Sequence, residues 1–299
     1  YKKDNVEIKF EDEKIIITDN DRVIYKSIPV FPESNMFIEK LLLLIPRFKK
    51  SYNSMEVTVV GNGNGYIGTA SSFVFKLGDY MLWIDPCAQP AFSLGKVGIH
   101  WDDVSHILIT HNHEDHILGF TACLKRAIDK RKKIKLITAP TIYEILLKQF
   151  NTLFPNIEKY IEFISLIPDK SITLGDSKIE ARWNHHIIPY GTLGIKVSRE
   201  GSCCGFSGDT KYDEKIIASL KRKELEPKWF ENCDVVFHEV NFTSFKTVHT
   251  NYKELLKLGK KINAKLFVYH ADSSKVRGGL NMALEGEKYI LNNKKLEVK

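Results

Sequence analysis

The feature that most constrains this chain is a six-residue cluster, residues 111–116 (HNHEDH), directly after an apolar, strand-like run. In an extended turn His111 and His113 point to the same side of the backbone, so both can reach one ion. Asp115 and His116 then turn the corner and can reach a second ion. Neutral imidazole nitrogens and carboxylate oxygens are natural ligands of Zn²⁺ at about 2.0–2.2 Å. The cluster therefore predicts a metal centre at the end of a buried strand.

The pattern around the cluster indicates a layered α/β fold. With 299 residues, 43% of them apolar, the chain can form one large core or two modest ones. Strands come first as hairpins and later alternate with helices, which is typical of layered α/β domains. Strands are predicted near residues 57–60, 72–75, 80–84, 106–110, 134–138, 179–183, 193–198, 203–206, 235–237 and 266–269, and helices near 116–130, 141–150, 213–222, 251–262 and 281–292.

Residues 1–54 are predicted to form an accessory extension, followed by a catalytic domain at residues 55–299. Short strands near 6–10, 15–18 and 23–25 predict a small antiparallel β-meander. A helix capped by Ser34 or Asn35 is expected to run to about Ile45, because Pro46 should end it. The extension packs on the main domain or serves as a dimerisation or partner element, and the sequence leaves both open.

Four further motifs follow one another along the chain. They are Tyr80–Asp85 (YMLWID), Trp183–His186 (WNHH), Ser207–Thr210 (SGDT) and Phe267–His270 (FVYH). Together with the HNHEDH cluster, and in this order, they resemble the metallo-β-lactamase superfamily over about residues 55–292. The resemblance implies an αβ/βα sandwich, in which two mixed sheets face each other, helices lie outside, and two metal ions bind at one edge.

The resemblance also implies a ligand set. It assigns His111, His113 and His186 to metal one, Asp115, His116 and His270 to metal two, and Asp209 as the bridge between them. His185 competes with His186, because neighbours on a strand point to opposite faces. Residues 186–189 (HIIP) resemble the His-x-Ile-Pro pattern of ribonuclease Z, which favours His186. The implied cofactors are two divalent ions, Zn²⁺ first and Mn²⁺ as the alternative.

Two motifs indicate the branch of the superfamily. Residues 236–242 (VFHEVNF) resemble the HExxF strand of the ribonuclease Z and phosphodiesterase branch, and residues 248–250 (VHT) resemble its HST motif. The resemblance implies that Glu239 and His249 flank the metals, with His249 acting on the leaving oxygen or the phosphate. Two metal ions suit phosphodiester cleavage, and Asp115 can also orient the nucleophile that they activate. The alternative for His249 is an ordinary residue at the start of a helix.

The absence of a tRNA-binding arm limits the range of expected substrates. Ribonuclease Z carries a long tRNA-gripping arm between its third histidine and the GDT motif, but only 22 residues separate His186 from Asp209 here. The short form resembles cyclic-nucleotide or small cyclic-phosphate phosphodiesterases, so we expect a phosphodiesterase acting on a small anionic phosphodiester. The net charge of +7 and the basic stretches 125–135 and 221–223 keep an RNA or DNA nuclease as an alternative. A lactone, thioester or lactam hydrolase and a non-enzymatic module with structural metals are the others.

Composition gives expectations about the cellular compartment and about membrane association. The five cysteines are odd in number and form no CxxC pair, so a reducing cytoplasm is expected rather than a disulfide framework. No stretch approaches the roughly 20 apolar residues that a membrane helix needs. We expect a homodimer without a membrane partner.

Overall fold

The computed structural model of the chain describes residues 2–3, 6–11, 14–26, 42–48, 54–65, 68–186, 191–221, 225, 227–243 and 247–299. The chain divides into two compact units, Tyr1–Pro46 and Arg47–Lys299. The accessory role of residues 1–54 stays a prediction.

The first unit contains one antiparallel sheet. Its strands are Lys2–Lys3 (β1), Val6–Glu11 (β2), Lys14–Asp19 (β3) and Arg22–Lys26 (β4), and they pair in that order. This confirms the predicted meander. Of the predicted helix ending near Ile45, only the residues from Leu42 onward lie within the described part of the chain.

The second unit contains two large mixed sheets. The first sheet has eight strands, Met55–Gly61 (β5), Ser72–Leu77 (β6), Tyr80–Ile84 (β7), His106–Leu108 (β8), Ile134–Thr138 (β9), Ile161–Ser165 (β10), Lys288–Asn292 (β18) and Lys295–Val298 (β19), in the order β10-β9-β8-β7-β6-β5-β18-β19. The second has seven, Ser171–Leu174 (β11), Ser177–Trp183 (β12), Leu193–Arg199 (β13), Ser202–Phe206 (β14), Val235–Glu239 (β15), Lys265–Tyr269 (β16) and Asn281–Met282 (β17), paired in chain order.

Helices connect the strands. The α-helices of the described chain are Pro90–Lys96 (α1), Glu114–Ile117 (α2), Phe120–Asp129 (α3), Pro140–Phe150 (α4), Glu214–Leu220 (α5) and Tyr252–Gly259 (α6), and 3₁₀ turns lie at Trp101–Asp103, Ile157–Tyr160, Pro227–Phe230 and Ser273–Lys275. Local chemistry sets their starts. Asp213 accepts hydrogen bonds from the backbone N–H groups at the start of α5, and Asn251 does the same for α6. Proline opens α1 and α4, where its missing N–H costs nothing.

The two sheets face each other across an aromatic core. The ring of Phe73, from the first sheet, has its centroid 5.0 Å from Phe206, 5.2 Å from Phe237 and 5.2 Å from Tyr269 in the second sheet. All four side chains are fully buried. The pairs of Phe73 with Phe206 and with Tyr269 are edge-to-face, and such a pair adds about 0.5–1.5 kcal/mol beyond the area it buries. The predicted sandwich of two mixed sheets is therefore confirmed.

Three parts of the prediction differ from the structure. The helix predicted at 281–292 is wrong, because Lys288–Asn292 is strand β18 and pairs antiparallel with β5. The single helix predicted at 116–130 is interrupted at Gly119, whose N–H donates to the carbonyl of Pro86. A Cβ on Gly119 would lie 2.0 Å from the carbonyl oxygen of Cys87, so only glycine fits this close approach. Strands β10, β11 and β19 and helix α1 were not predicted.

Candidate metal centre

One edge of the sandwich collects the side chains singled out by the motifs. Parallel strands β7, β8, β14, β15 and β16 end on this edge, and in open α/β sheets the carboxyl ends of strands form the ligand-binding side. The segments that follow these strand ends carry Asp85, the 111–116 cluster, Asp209 and His270, while Glu239 is the last residue of β15. Residues up to 185 positions apart in the sequence thereby meet at one edge.

Hydrogen bonds fix the orientation of four imidazoles. In each, Nδ1 faces a protein acceptor and leaves Nε2 directed at the centre, an arrangement common to metal-binding histidines. The partners are Thr110 Oγ1 for His111 (3.1 Å), Asp85 Oδ2 for His116 (2.8 Å), the carbonyl of Val248 for His186 (3.3 Å) and Ser71 Oγ for His270 (2.9 Å).

Two of these acceptors are themselves held in place. The Thr110 hydroxyl donates to Asp85 Oδ2 at 2.6 Å, and the backbone N–H of Thr110 donates to Oδ1 at 2.8 Å. Ser71 donates to the carbonyl of Gly63 at 2.7 Å. Since each hydroxyl proton is already engaged, Thr110 and Ser71 can only accept from the neighbouring imidazole. This fixes His111 and His270 as Nδ1–H tautomers.

A first group of candidate ligand atoms lies close enough together to surround one ion. His113 Nδ1 is 2.9 Å from His111 Nε2 and 3.3 Å from His186 Nε2. Asp209 Oδ2 lies 3.9 Å from His111 Nε2 and 3.7 Å from His186 Nε2. Four ligand atoms at these separations match the spacing expected around a single ion.

A second group adjoins the first through the same aspartate. Asp115 Oδ2 lies 3.6 Å from His116 Nε2 and 3.9 Å from His270 Nε2. Asp209 Oδ1 is 3.4 Å from His116 Nε2, and its Oδ2 is 3.4 Å from His270 Nε2. Asp209 therefore presents one oxygen to the second group and the other oxygen to both.

Burial keeps most of these imidazoles neutral, the form that binds metal. Burial is the largest cause that lowers the pKa of His186 and of His270 to about 4 in each case. It also lowers the pKa of His111 well below its usual value. His116 differs, because the carboxylates of Asp209 and Asp85 outweigh the burial penalty and raise its pKa. The two carboxylates thus favour the protonated form of His116 in the metal-free protein.

The donor set fits a divalent metal ion. His116 Nε2 and Asp209 Oδ1 are buried and make no hydrogen bond within the described residues. Buried polar atoms are normally satisfied, so atoms left without a partner call for one. Five imidazoles and two carboxylates converging on one edge supply that chemistry, and a cation is the partner they share.

The structure distinguishes His186 from its neighbour. His186 is buried within the first group, whereas His185 is half-buried and its carbonyl accepts the N–H of Lys211. His238 is buried and its Nδ1–H donates to the carbonyl of Glu239, so it serves the fold. His100 and His106 make local contacts with Asp102 and Ser105, outside the centre.

Glu239 and His249 lie beside the metal-ligand groups. Glu239 Oε1 accepts the backbone N–H groups of Thr210 and Thr250, at 3.2 and 2.9 Å. The second oxygen, Oε2, lies 3.4 Å from His249 Nδ1. Burial disfavours the imidazolium of His249, but the carboxylate of Glu239 more than offsets it and raises the pKa of His249 to about 9. His249 Nδ1 is also 3.8 Å from Asp209 Oδ2, so it borders the centre.

Three residues that hold the candidate ligands in place were not predicted from the sequence. Thr110 and Ser71 orient imidazoles, and Asn184 Nδ2 donates to the carbonyls of Ser207 (2.6 Å) and Asp209 (3.0 Å). The position of Asn184 beside the histidine pair was the available signal for it, whereas Ser71 lies 199 positions from its partner His270. A Cβ on Gly208, which has φ +57°, would lie 2.1 Å from the carbonyl of Leu193, so the turn carrying Asp209 requires glycine.

The wider setting adds one observation. Among the described residues, no helix has both the length and the apolar character needed to span a bilayer. The cytoplasmic location, the homodimer and a nucleic-acid partner stay predictions.

Comparisons with known proteins match most of the chain. The family model described as "Anti-Pycsar protein Apyc1" matches residues 55–281. The Apyc1 protein of Bacillus phage 010DV004 is 27% identical over 271 residues, which cover 80% of this chain and 99% of that protein. The cAMP/cGMP-dependent 3′,5′-cAMP/cGMP phosphodiesterase B of Dictyostelium discoideum is 24% identical over 293 residues, covering 88% of this chain. The match spans 25% of the length of that phosphodiesterase.

Solved structures identify the fold. The metallo-β-lactamase fold protein YhfI of Bacillus subtilis superimposes with a TM-score of 0.63 at 19% identity, covering 80% of this chain and 100% of YhfI. At this identity the likeness concerns the fold alone, and that fold is the metallo-β-lactamase sandwich.

Proposed function

The chain belongs to the family of the anti-Pycsar protein Apyc1, and from this premise we propose that it is a metal-dependent phosphodiesterase that hydrolyses a 3′,5′-cyclic nucleotide. A relative over most of the chain carries the name of a cAMP/cGMP phosphodiesterase, which supports this substrate class. The observation that carries the proposal is the pair of ligand groups that share Asp209, with Glu239 and His249 beside them.

We assign two divalent ions to the centre. The first group offers His111, His113, His186 and Asp209, and the second offers Asp115, His116, His270 and Asp209. A donor set rich in imidazole suits Zn²⁺, and Mn²⁺ is the alternative. When bound, the ions supply positive charge that stabilises the phosphoryl transition state and makes water acidic enough to attack near neutral pH.

Side chains of the protein then orient the attacking water and donate a proton to the leaving oxygen. The carboxylate of Asp115, which is half-buried, accepts a hydrogen bond from the attacking water and so orients its oxygen toward phosphorus. As the new P–O bond forms, the P–O bond to the sugar breaks, and protonated His249 donates its proton to the leaving sugar oxygen. The proton lost by the water restores the imidazolium, so the reaction consumes one water and yields a nucleoside monophosphate.

Glu239 has two roles in this scheme. Its Oε1 joins the backbone of Thr210, next to Asp209, to that of Thr250, next to His249. Its Oε2 faces His249 Nδ1 and favours the protonated ring. Glu239 thus sets the position of the proton donor relative to the bridging aspartate.

A hydrolysis screen over cyclic mono- and dinucleotides, with metal analysis of the same sample, tests the proposal. We expect linear monophosphates from at least one cyclic mononucleotide and about two metal ions per chain. The chain should also hydrolyse bis-p-nitrophenyl phosphate. Inertness toward every cyclic nucleotide and toward this diester at full metal occupancy would refute a phosphodiesterase.

The same screen separates the alternatives. A nuclease would bind RNA or DNA with an affinity that falls steeply with salt. A lactone, thioester or lactam hydrolase would act on those substrates and leave diesters intact. If the metals were purely structural, Asp209→Ala would change stability in a protein that has no hydrolytic activity to lose.

A further inference from the structure

A cavity of about 370 Å³ opens beside the metal centre. Its walls include Thr69, Gln89, Phe92, Lys96, Leu118 and Glu285. They come from the segment after β5, from helix α1, from the residue after α2 and from the segment after β17. No proposed metal ligand lines this cavity or a larger one of about 1070 Å³, but the smaller cavity is lined by Gly65, which packs against Asp115.

The smaller cavity directly adjoins the second ligand group. Gly65 lines it, and a Cβ placed on Gly65 would lie 2.5 Å from the Cβ of Asp115. Leu118, on another wall, follows His116 by two positions. The cavity thus lies next to Asp115, within reach of a small molecule whose phosphate is bound at the centre.

The cavity presents apolar surface beside a polar centre. Phe92 is 56% exposed and Leu118 is 49% exposed, although both are large hydrophobic side chains. Exposed apolar side chains that line a concavity are typical of small-molecule sites, in which a few polar groups fix the orientation of the ligand. A planar heterocycle is the part of a cyclic nucleotide that such walls suit.

The polar part of the cavity is a fixed ion pair. Lys96 Nζ forms a salt bridge with Glu285 Oε1, and Thr69 Oγ1 donates to Glu285 Oε2 at 3.1 Å. The pair offers hydrogen-bond donors on Lys96 and remaining acceptor lone pairs on Glu285. The edge of a nucleobase carries both N–H donors and acceptor atoms, and the arrangement of these donors and acceptors differs from base to base.

We propose that this cavity is the nucleobase subsite of the enzyme, an inference that rests on the proposed function. The base stacks on Phe92 and contacts Leu118, and its edge meets the Lys96–Glu285 pair. Stacking of a base on an aromatic side chain is worth about 1–3 kcal/mol, which corresponds to a loss of about fivefold to 150-fold in affinity when the ring is removed.

Two substrates separate this subsite from the catalytic chemistry. One is a cyclic nucleotide that the wild-type protein hydrolyses, and the other is 1-deoxyribose 3′,5′-cyclic phosphate, which has the same phosphodiester ring and no base. For Phe92→Ala, kcat/KM should fall about tenfold or more on the cyclic nucleotide and stay within twofold on the base-free ring. Phe92→Tyr should keep most of the activity. Leu153→Ala, at an exposed position outside the cavity, should leave kcat/KM unchanged on both substrates.

The contrary results are distinct. If Phe92→Ala lowers kcat/KM by the same factor on both substrates, or on neither, the subsite is refuted while the proposed phosphodiesterase activity stands. If the wild-type protein hydrolyses no cyclic nucleotide, the proposed function fails first and the subsite with it.

A second variant tests recognition of the base edge. Glu285→Gln keeps the shape of the side chain and removes its charge. We expect it to change the order of kcat/KM among cyclic AMP, GMP, CMP and UMP, with the base-free ring unaffected. An equal factor for all four nucleotides would overturn the role of the Lys96–Glu285 pair.

Discussion

His113 Nδ1 lies 2.9 Å from His111 Nε2, and neither side chain is exposed. His111 directs its Nδ1–H at Thr110, so its Nε2 offers a lone pair toward His113. His186 Nε2 faces the same point from 3.3 Å, with its own Nδ1–H directed at a carbonyl. Two lone pairs aimed at one ring nitrogen need a proton or a cation between them. A proton on His113 Nδ1 meets this need in the metal-free protein, and the convergence of the three nitrogens matches the arrangement of ligands around one ion.

Removing the metal should lower both activity and stability. A chelator should abolish hydrolysis, and Zn²⁺ or Mn²⁺ should restore it. An ion at 100 times its Kd stabilises the folded state by about 2.7 kcal/mol. In a chain of this size that corresponds to a rise in Tm of roughly 4 °C for each ion. Calorimetry of the metal-free and reloaded protein measures it, and full activity in verified metal-free protein would contradict the proposal.

The adjacent histidines give a matched pair of variants. His186→Ala should weaken metal binding strongly, because it removes one of four ligand atoms from the first group. His185→Ala should leave metal content near that of the wild type, because His185 belongs to neither group of candidate ligands and its backbone carbonyl still accepts the N–H of Lys211. Metal content by mass spectrometry distinguishes them, and the reverse order would mean that His185 is the ligand.

Asp85 should control affinity without touching the metal. It is fully buried and its Oδ2 accepts from both His116 and Thr110. Asp85→Asn places an amide near those donors, so we expect metal affinity to fall about 10- to 100-fold. Chelator competition measures the loss. Asp129→Asn is the control, because its ion pair with Lys125 lies at the surface and such pairs contribute little.

His249 should matter most for poor leaving groups. A general acid contributes about 10²- to 10⁴-fold to a rate. His249→Asn should therefore lower kcat by that factor on a cyclic nucleotide, whose leaving sugar oxygen needs a proton. The loss on bis-p-nitrophenyl phosphate should be much smaller, because p-nitrophenolate leaves without protonation. Equal losses on both substrates would indicate that His249 binds the phosphate instead.

Local sequence was enough to predict the fold and to name the side chains that the structure brings together at one edge. The HNHEDH cluster carries four proposed ligands in six residues, and hairpins such as the one at Gly78 and Asp79 depend on neighbouring residues alone. The cluster in the structure contains the seven proposed ligands, with Glu239 and His249 beside it. These features can be predicted without tertiary information because they depend on residue type and on short spacings along the chain.

The tertiary structure decided what depends on distant partners. Residues 288–292 become a strand because they pair with β5, which lies more than 200 positions earlier. His186, rather than its neighbour, turns toward His113, and Ser71 fixes the tautomer of His270 across 199 positions. Phe92, Leu118 and Glu285 form one cavity only after the sheets pack. Periodicity in the sequence reports which side of a local element is apolar, whereas pairing and facing distances are set by segments that the folded chain brings together.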